Sequence, residues 1–226
     1  MPPYVITALT HPEPDLLAEV RDLRARAYAV HRPEVAPRML EPDEIDERPG
    51  TVVLVARAED GRAVGTIRHT ARTDGPLPLE AEPDLRLPAG FLTGLWFETA
   101  RYCVRPDFAP EGVAPVGLML VKASYLTLAA LGAAGTLVAS RGAMAARFTD
   151  FGFVEPVPGA VIRLSQLGGL EHRVFALRMG VDDDAVTAAG HPFARFVREV
   201  DSPEIDLTGL REKFFAETSV PVSHPG

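Results

Sequence analysis

Cysteine is almost missing from this chain: Cys103 is the sole one in 226 residues. That excludes an intramolecular disulfide and a cysteine-based metal cluster, and it accords with a reducing cytoplasm as the expected compartment. Lysine is nearly as scarce, with only Lys122 and Lys213, and the net charge is −8. An acidic chain without a run of Lys and Arg is not expected to bind nucleic acid. Long apolar runs are lacking too. The segment from Leu118 to Leu131 is interrupted by Lys122 and Ser124, so no membrane span is expected. Met1-Pro2-Pro3-Tyr4 has neither the basic segment nor the apolar run of a signal peptide. The six histidines show no metal-ligand spacing, and no metal is expected. His69, beside Arg68, reads as exposed.

What is there is an ordinary globular composition, 46% apolar and 24% charged, in a chain long enough for one domain with a small appendage. Tyr4 to Leu9 reads as a strand. Pro12 to Asp15 open a helix in which Leu16, Val20, Leu23, Ala27 and Val30 keep helical spacing until Pro33. A proline-rich acidic loop follows over 33–50. Thr51 to Ala58 and Ala63 to Thr70 are strands joined by the turn Glu59-Asp60-Gly61-Arg62. A long loop, 71–94, leads to a strand at 95–104, an apolar helix from Pro115 to Leu131 and a short strand from Gly135 to Ser140. Gly142 to Phe151 is a helix closed by Gly152. Val154 to Leu164 and His172 to Met179 are late strands, and an amphipathic segment surrounds Phe193, Phe196 and Val197. This order implies an α/β architecture, a mixed sheet with helices on both faces.

The strand Leu95-Trp96-Phe97-Glu98-Thr99-Ala100-Arg101-Tyr102-Cys103-Val104 is the place to look for chemistry. It is apolar enough to be buried, yet it carries a carboxylate and a guanidinium. A buried carboxylate is costly unless it is paired or has work to do, and burial raises its pKa toward the range a general base needs. Strand alternation places Trp96, Glu98, Ala100 and Tyr102 on one face and Phe97, Thr99, Arg101 and Cys103 on the other, so Arg101 joins Glu98 only if a bulge intervenes. Arg101 is expected to reach Asp43 or Asp46 and pin the acidic loop. Arg68 is a candidate to neutralise Glu98 or to bind a substrate carboxylate in a fork. Cys103 reads as a small buried residue.

The element order resembles the GNAT (N-acetyltransferase-like) fold, and Arg147-Phe148-Thr149-Asp150-Phe151-Gly152-Phe153-Val154 resembles its helix-to-strand ending. A sharper resemblance, over roughly residues 20–155, is to one branch: the acyl-homoserine-lactone synthases and the related N-acyl amino acid synthases. Arg24 and Tyr28 resemble its arginine and aromatic on the first helix, Asp43 and Asp46 its paired acidic residues, and Val64-Gly65-Thr66-Ile67-Arg68 its Gly-x-x-Arg strand. Leu77-Pro78-Leu79 sits at a comparable turn, and Glu98, Arg101 and Tyr102 match its Glu-x-Ser-Arg-aromatic strand. Ala100 stands where the branch has serine, Glu34 near a usual tryptophan, and Val104 where a further arginine is found. These departures weaken the lactone-synthase reading more than the broader acyltransferase one.

The resemblance implies a GNAT-like acyltransferase domain over 1–180, and 181–226 as a C-terminal extension that packs on it or is partly flexible. It also implies amide formation from an acyl thioester, on acyl carrier protein or CoA, and the amine of an amino acid or related small molecule. Glu98, Arg68 and Arg101 are the expected catalytic residues. Arg24, Tyr28, Asp43, Asp46, Val104 and Ser140 are the expected substrate-binding ones. Asp43 and Asp46 would recognise the ammonium group, and Arg24 and Tyr28 would close over the amine. Backbone N–H groups near Val104 would hold the oxyanion, and Ser140 or Tyr125 would protonate the leaving thiolate. The apolar helix Leu118-Met119-Leu120-Val121, with Leu126 and Leu128, would line an acyl tunnel. Lys122, Arg141 and Arg147 are candidates for a basic patch toward a carrier protein. Glu111-Gly112-Val113-Ala114-Pro115-Val116-Gly117-Leu118 has two glycines, no basic residue and a proline without an N–H, a weak cradle for a pyrophosphate. Two other readings stand beside this one: a conventional acetyl-CoA-dependent N-acetyltransferase and a non-catalytic acyl- or amino-acid-binding protein of the same fold.

Overall fold

The computed structural model describes residues 3–73, 75–108, 115–141, 143–188, 190–199 and 201–218. The elements run β1 (Tyr4–Leu9), α1 (Pro14–His31), β2 (Thr51–Ala58), β3 (Ala63–Ala71), β4 (Trp96–Val104), α2 (Val116–Leu131), β5 (Gly135–Ser140), α3 (Ala143–Asp150), β6 (Val161–Leu164), β7 (Leu170–Arg178), α4 (Asp182–Ala188), α5 (Pro192–Glu199), β8 (Ile205–Asp206) and α6 (Leu210–Glu217). The strands form one mixed sheet in the order β6-β7-β5-β4-β3-β2-β1-β8. Pairing is antiparallel except for β4 with β5, which α2 connects, and β1 with β8.

Alternation in the central strands assigns the two faces. Val53 and Val55 pack with Val20, Leu23 and Cys103 under α1, whereas Leu54 and Ala56 pack with Val116, Met119 and Leu120 of α2. All nine residues of β3 are buried, because helices cover the sheet on both sides. Gly65 makes the α2 side possible: a Cβ there would lie 2.7 Å from Leu120 and 2.8 Å from Val116, so only glycine lets the helix approach so closely. Near the end of the chain, α6 buries Leu210 and Phe214 against Phe97, Leu128 and Leu131.

The acidic loop at 33–50 contains two 3-10 turns, Ala36–Leu40 and Glu44–Glu47, and Asp43 caps the second by accepting from the Ile45 N–H. The long loop before β4 holds another, Pro78–Ala81. The expected strand over Val154 to Leu164 is mostly not one. Val154 makes a single bridge to Ala176, and pairing resumes only at Val161. Pro156 and Pro158 lie between and cannot donate to a ladder.

Candidate functional site

The site forms where the sheet splits. β4 and β5 pair from Trp96–Gly135 to Thr99–Val138 and no further, so the second half of β4 stands apart from Ala139 and Ser140. A cavity of about 470 Å³ passes through this gap, lined by Glu98, Arg101, Thr136, Val138 and Ser140 among others.

A bulge in β4 shapes the opening. Thr66 pairs with Cys103, but two residues on, Arg68 pairs with Ala100, so Ile67 alone faces both Arg101 and Tyr102. Arg101 takes the left-handed conformation, with φ +56°. For a residue with a Cβ this costs on the order of 1 kcal/mol and persists only where the surroundings hold it. Asp43, Gln166 and Tyr28 do so: Arg101 Nη2 donates to Asp43 Oδ2 at 3.0 Å and to Gln166 Oε1 at 2.9 Å, and its side chain is hydrogen-bonded to Tyr28. The extra residue resets the alternation. Arg101 comes to the face of Glu98, and Cys103 packs under α1. Tyr102 crosses to α2, where its hydroxyl abuts Gly117 so closely that a Cβ there would collide. The simple two-residue alternation of the strand is thereby corrected.

Beyond the bulge, the Arg105 N–H donates to the Val64 carbonyl on β3 at 2.8 Å. Successive N–H groups of a strand point to opposite edges, so that of Val104 turns away from β3, toward the gap.

Glu98 lies at the mouth of the split, buried, and accepts from the Leu79 N–H at 2.6 Å. Burial pushes its carboxyl up to about 7, against the pull of the Leu79 N–H, Arg68 and Arg101 and with some help from Glu82. Beside it runs an alternating lattice of charge. Asp46 accepts from both Nη atoms of Arg24, at 2.5 and 3.0 Å, and from Arg68 Nη1 at 3.1 Å. Arg68 Nη1 also donates to Asp43 at 2.7 Å. Burial alone would raise Asp43, but Arg68 and Arg101 outweigh it and hold the carboxyl at about 2. The two aspartates are thus occupied by three guanidiniums, which places them as anchors of the arginines. Arg68 acts on Glu98 through its charge, its hydrogen bonds going to the aspartates.

Several participants are not among the site residues that the sequence points to, although it does mark the turn Leu77-Pro78-Leu79. The 3-10 turn Pro78–Ala81 supplies the N–H on Glu98, and Glu82 just beyond it accepts from the Ser165 N–H and hydroxyl at 3.1 and 3.0 Å. Gln166 then reaches Arg101. His172 lines the cavity; its Nδ1 donates to the Leu170 carbonyl at 2.8 Å. On the α2 face, His69 is fully buried rather than exposed. Its Nδ1 lies 2.9 Å from the Thr99 hydroxyl, itself 2.7 Å from that of Thr136. Burial lowers its pKa to about 3, so the ring is neutral. Cys103 is buried and its thiol is pushed up to about 11 by burial, which disfavours a thiolate nucleophile. Lys122 is buried against Phe196 and leaves the proposed basic patch, whereas Arg141 and Arg147 are exposed. Ser140 and Tyr125 both line the cavity. Residues 111–114 of the suspected weak phosphate cradle lie outside the described residues. Among the described residues, no His, Cys, Asp and Glu cluster is arranged to hold a metal, and no helix is long and apolar enough to cross a membrane.

The sequence matches no protein-family model and no curated protein. Solved structures do match. FeeM, an N-acyl amino acid synthase from uncultured soil microbes, is 12% identical with a TM-score of 0.60, over 83% of this chain and 96% of that one. BjaI, a CoA-dependent acyl-homoserine lactone synthase, is 23% identical at 0.56, over 84% and 90%. MesI, described in the same words, is 19% identical at 0.54, over 88% and 98%. At these identities the likeness is one of fold. The chain therefore has a GNAT-like, acyl-CoA N-acyltransferase fold, similar to that of N-acyl amino acid and acyl-homoserine-lactone synthases.

Proposed function

We propose that this protein is an N-acyltransferase that joins an acyl group, carried as a thioester on acyl carrier protein or CoA, to the amine of an amino acid or related small molecule. The observation that carries the reading is Glu98: a buried carboxyl poised near neutrality at the mouth of a through-going cavity. In the reaction, Glu98 takes a proton from the acceptor's ammonium group, directly or through water, and releases it to solvent. The freed lone pair attacks the thioester carbon. The developing oxyanion meets the Val104 N–H. Collapse breaks the C–S bond, and the second amine proton goes to the departing thiolate through Ser140 or Tyr125. The products are an amide and a free thiol.

Arg101 and Arg68 add positive charge beside Glu98, favouring its carboxylate when the acceptor arrives and attracting an acceptor that carries a carboxylate of its own. Asp43 holds both of those arginines, Asp46, itself gripped by Arg24, holds Arg68, and Tyr28 steadies Arg101. The apolar wall of α2, with Leu118, Val121 and Leu128, takes the acyl chain. The likeness to N-acyl amino acid and acyl-homoserine lactone synthases supports an amino-acid-like acceptor.

The test is product formation. The purified protein is incubated with long-chain acyl carrier protein, or with matched acyl-CoA, plus pooled amino acids and S-adenosylmethionine, and mass spectrometry identifies N-acylated products. A product that disappears with Glu98→Gln supports the reading, and the donor that yields it names the thioester. A parallel incubation with acetyl-CoA completes the set, and product from acetyl-CoA alone assigns the protein to the conventional acetyltransferases. No product from any donor overturns the proposal and leaves a binding protein of this fold.

A further inference from the structure

We propose that α4 and α5 of the C-terminal extension form the end wall of the acyl channel, and that Ala194 and Val197 on that wall set the longest acyl chain accepted. The inference rests on the acyl-transfer reading of the cavity. Glu98 opens on the α1 face of the sheet, whereas α5 packs with α2 on the other. A chain entering through the split between β4 and β5 therefore runs along Val121 and Phe148 and meets Val186, Ala194 and Val197, all of which line the same cavity. Ala194 and Val197 are 8% and 4% exposed, so each is committed to the interior.

A wall can act as a ruler only if it does not yield, and short helices do not hold themselves in place. Both are pinned. Lys122 rises from the apolar helix α2, a residue type rarely buried without a partner. Its Nζ donates to the Phe196 carbonyl at 2.9 Å and lies 4.7 Å from the centre of the Phe196 ring. That carbonyl is one of the last four of α5, which have no partner within their own helix, and a cation is favoured at this end. The one lysine in α2 thus fastens the wall to the channel's side. At the other helix, Asp182 opens α4 and accepts from the Arg178 backbone N–H at 2.9 Å and from its guanidinium at 2.6 Å. Val186, one turn on, presses against Gly152, where a side chain would collide with it. The small size of Ala194 is what leaves depth in the channel.

The experiment is a chain-length profile with acyl thioesters from butanoyl to hexadecanoyl, on the donor that the wild-type protein uses. With Ala194→Phe, kcat/KM for the longest accepted donors is expected to fall about ten- to a hundredfold, the scale of discrimination for a pocket that can no longer house the end of its ligand. The shortest donors keep their rates, and the optimum moves to shorter chains. Val197→Ala moves it to longer ones. Lys122→Met, which leaves the lining untouched, broadens the profile without moving its short-chain side. An unchanged profile in folded Ala194→Phe and Val197→Ala overturns the proposal, as does a uniform loss across all lengths. Binding of cis-parinaric acid, followed by fluorescence, separates this inference from the activity. If the wild-type protein turns over no donor, the acyl-transfer reading fails. The wall then stands if Ala194→Phe weakens cis-parinaric acid binding at least about tenfold and falls if it does not.

Discussion

Two buried carboxylates on one face of this sheet have opposite surroundings. Asp46 accepts three hydrogen bonds from two guanidiniums. Glu98 accepts one, from a peptide N–H, and feels its arginines only at a distance. Both have lost their water. In the first case the cost is met by opposite charge in contact. In the second it is not met, and the proton stays until about pH 7. The same burial thus yields a structural anchor in one place and a candidate base in the other, according to how many cations touch the carboxylate.

Removing each carboxylate sets the two apart most sharply. Glu98→Gln is expected to lower the rate of acyl transfer by about 10²–10⁴, the usual contribution of a general base. Its stability moves the other way. The folded pKa of about 7 lies above the unfolded value, so the proton-linked stability is whole below about pH 4.5 and is lost as pH rises through 7. That loss amounts to about 3 kcal/mol. The glutamine variant escapes it and should melt higher than the wild type at pH 8, with the gap closing toward pH 4.5. Asp46→Ala should do the reverse. It strands Arg24 and leaves Arg68 with Asp43 alone, both arginines being buried, and should cost about 3–5 kcal/mol in denaturant unfolding at neutral pH. If Asp46→Ala were neutral in stability, or Glu98→Gln destabilising at pH 8, the distinction between the two carboxylates would collapse.

Arg101 joins the two regions, and it also marks the limit of what the sequence discloses. The strands, their order and the candidate residues are legible because burial and alternation leave period-two patterns, and because a carboxylate inside an apolar strand stands out. The bulge is not legible. Ala100, Arg101 and Tyr102 carry no glycine to announce a positive φ, and the conformation is imposed by Asp43, Gln166 and Tyr28, which lie far away in sequence. The same is true of His69, which reads as a surface residue beside an arginine until β2 and β4 close over it, and of Leu79, whose contribution is a backbone N–H. Replacing Arg101 by lysine tests whether geometry or charge is what counts there. A lysine keeps the charge near Glu98 but cannot hold Asp43, Gln166 and Tyr28 from one planar fork. The expected result is about a tenfold fall in kcat/KM, with stability reduced by about 1 kcal/mol. An unchanged rate would mean that the bulge holds without the fork.

The mildest change acts at the rim of the base's environment. Glu82 is buried, takes both hydrogen bonds of Ser165, and repels a second negative charge on Glu98. The charged groups acting on Glu98 are Arg68 on β3, Arg101 on its own strand and Glu82 after the 3-10 turn. Glutamine at 82 can still accept from Ser165 while removing that one repulsion. The carboxyl of Glu98 should then ionise at a lower pH, so the rising limb of kcat/KM against pH should move down by a fraction of a unit while the plateau stays near the wild-type value. A limb that stays in place would mean that Glu82 only ties the turn to Ser165. A limb moving to higher pH would mean that the substitution has loosened the Leu79 N–H from Glu98, because losing that donor is the change at this site that favours the protonated acid.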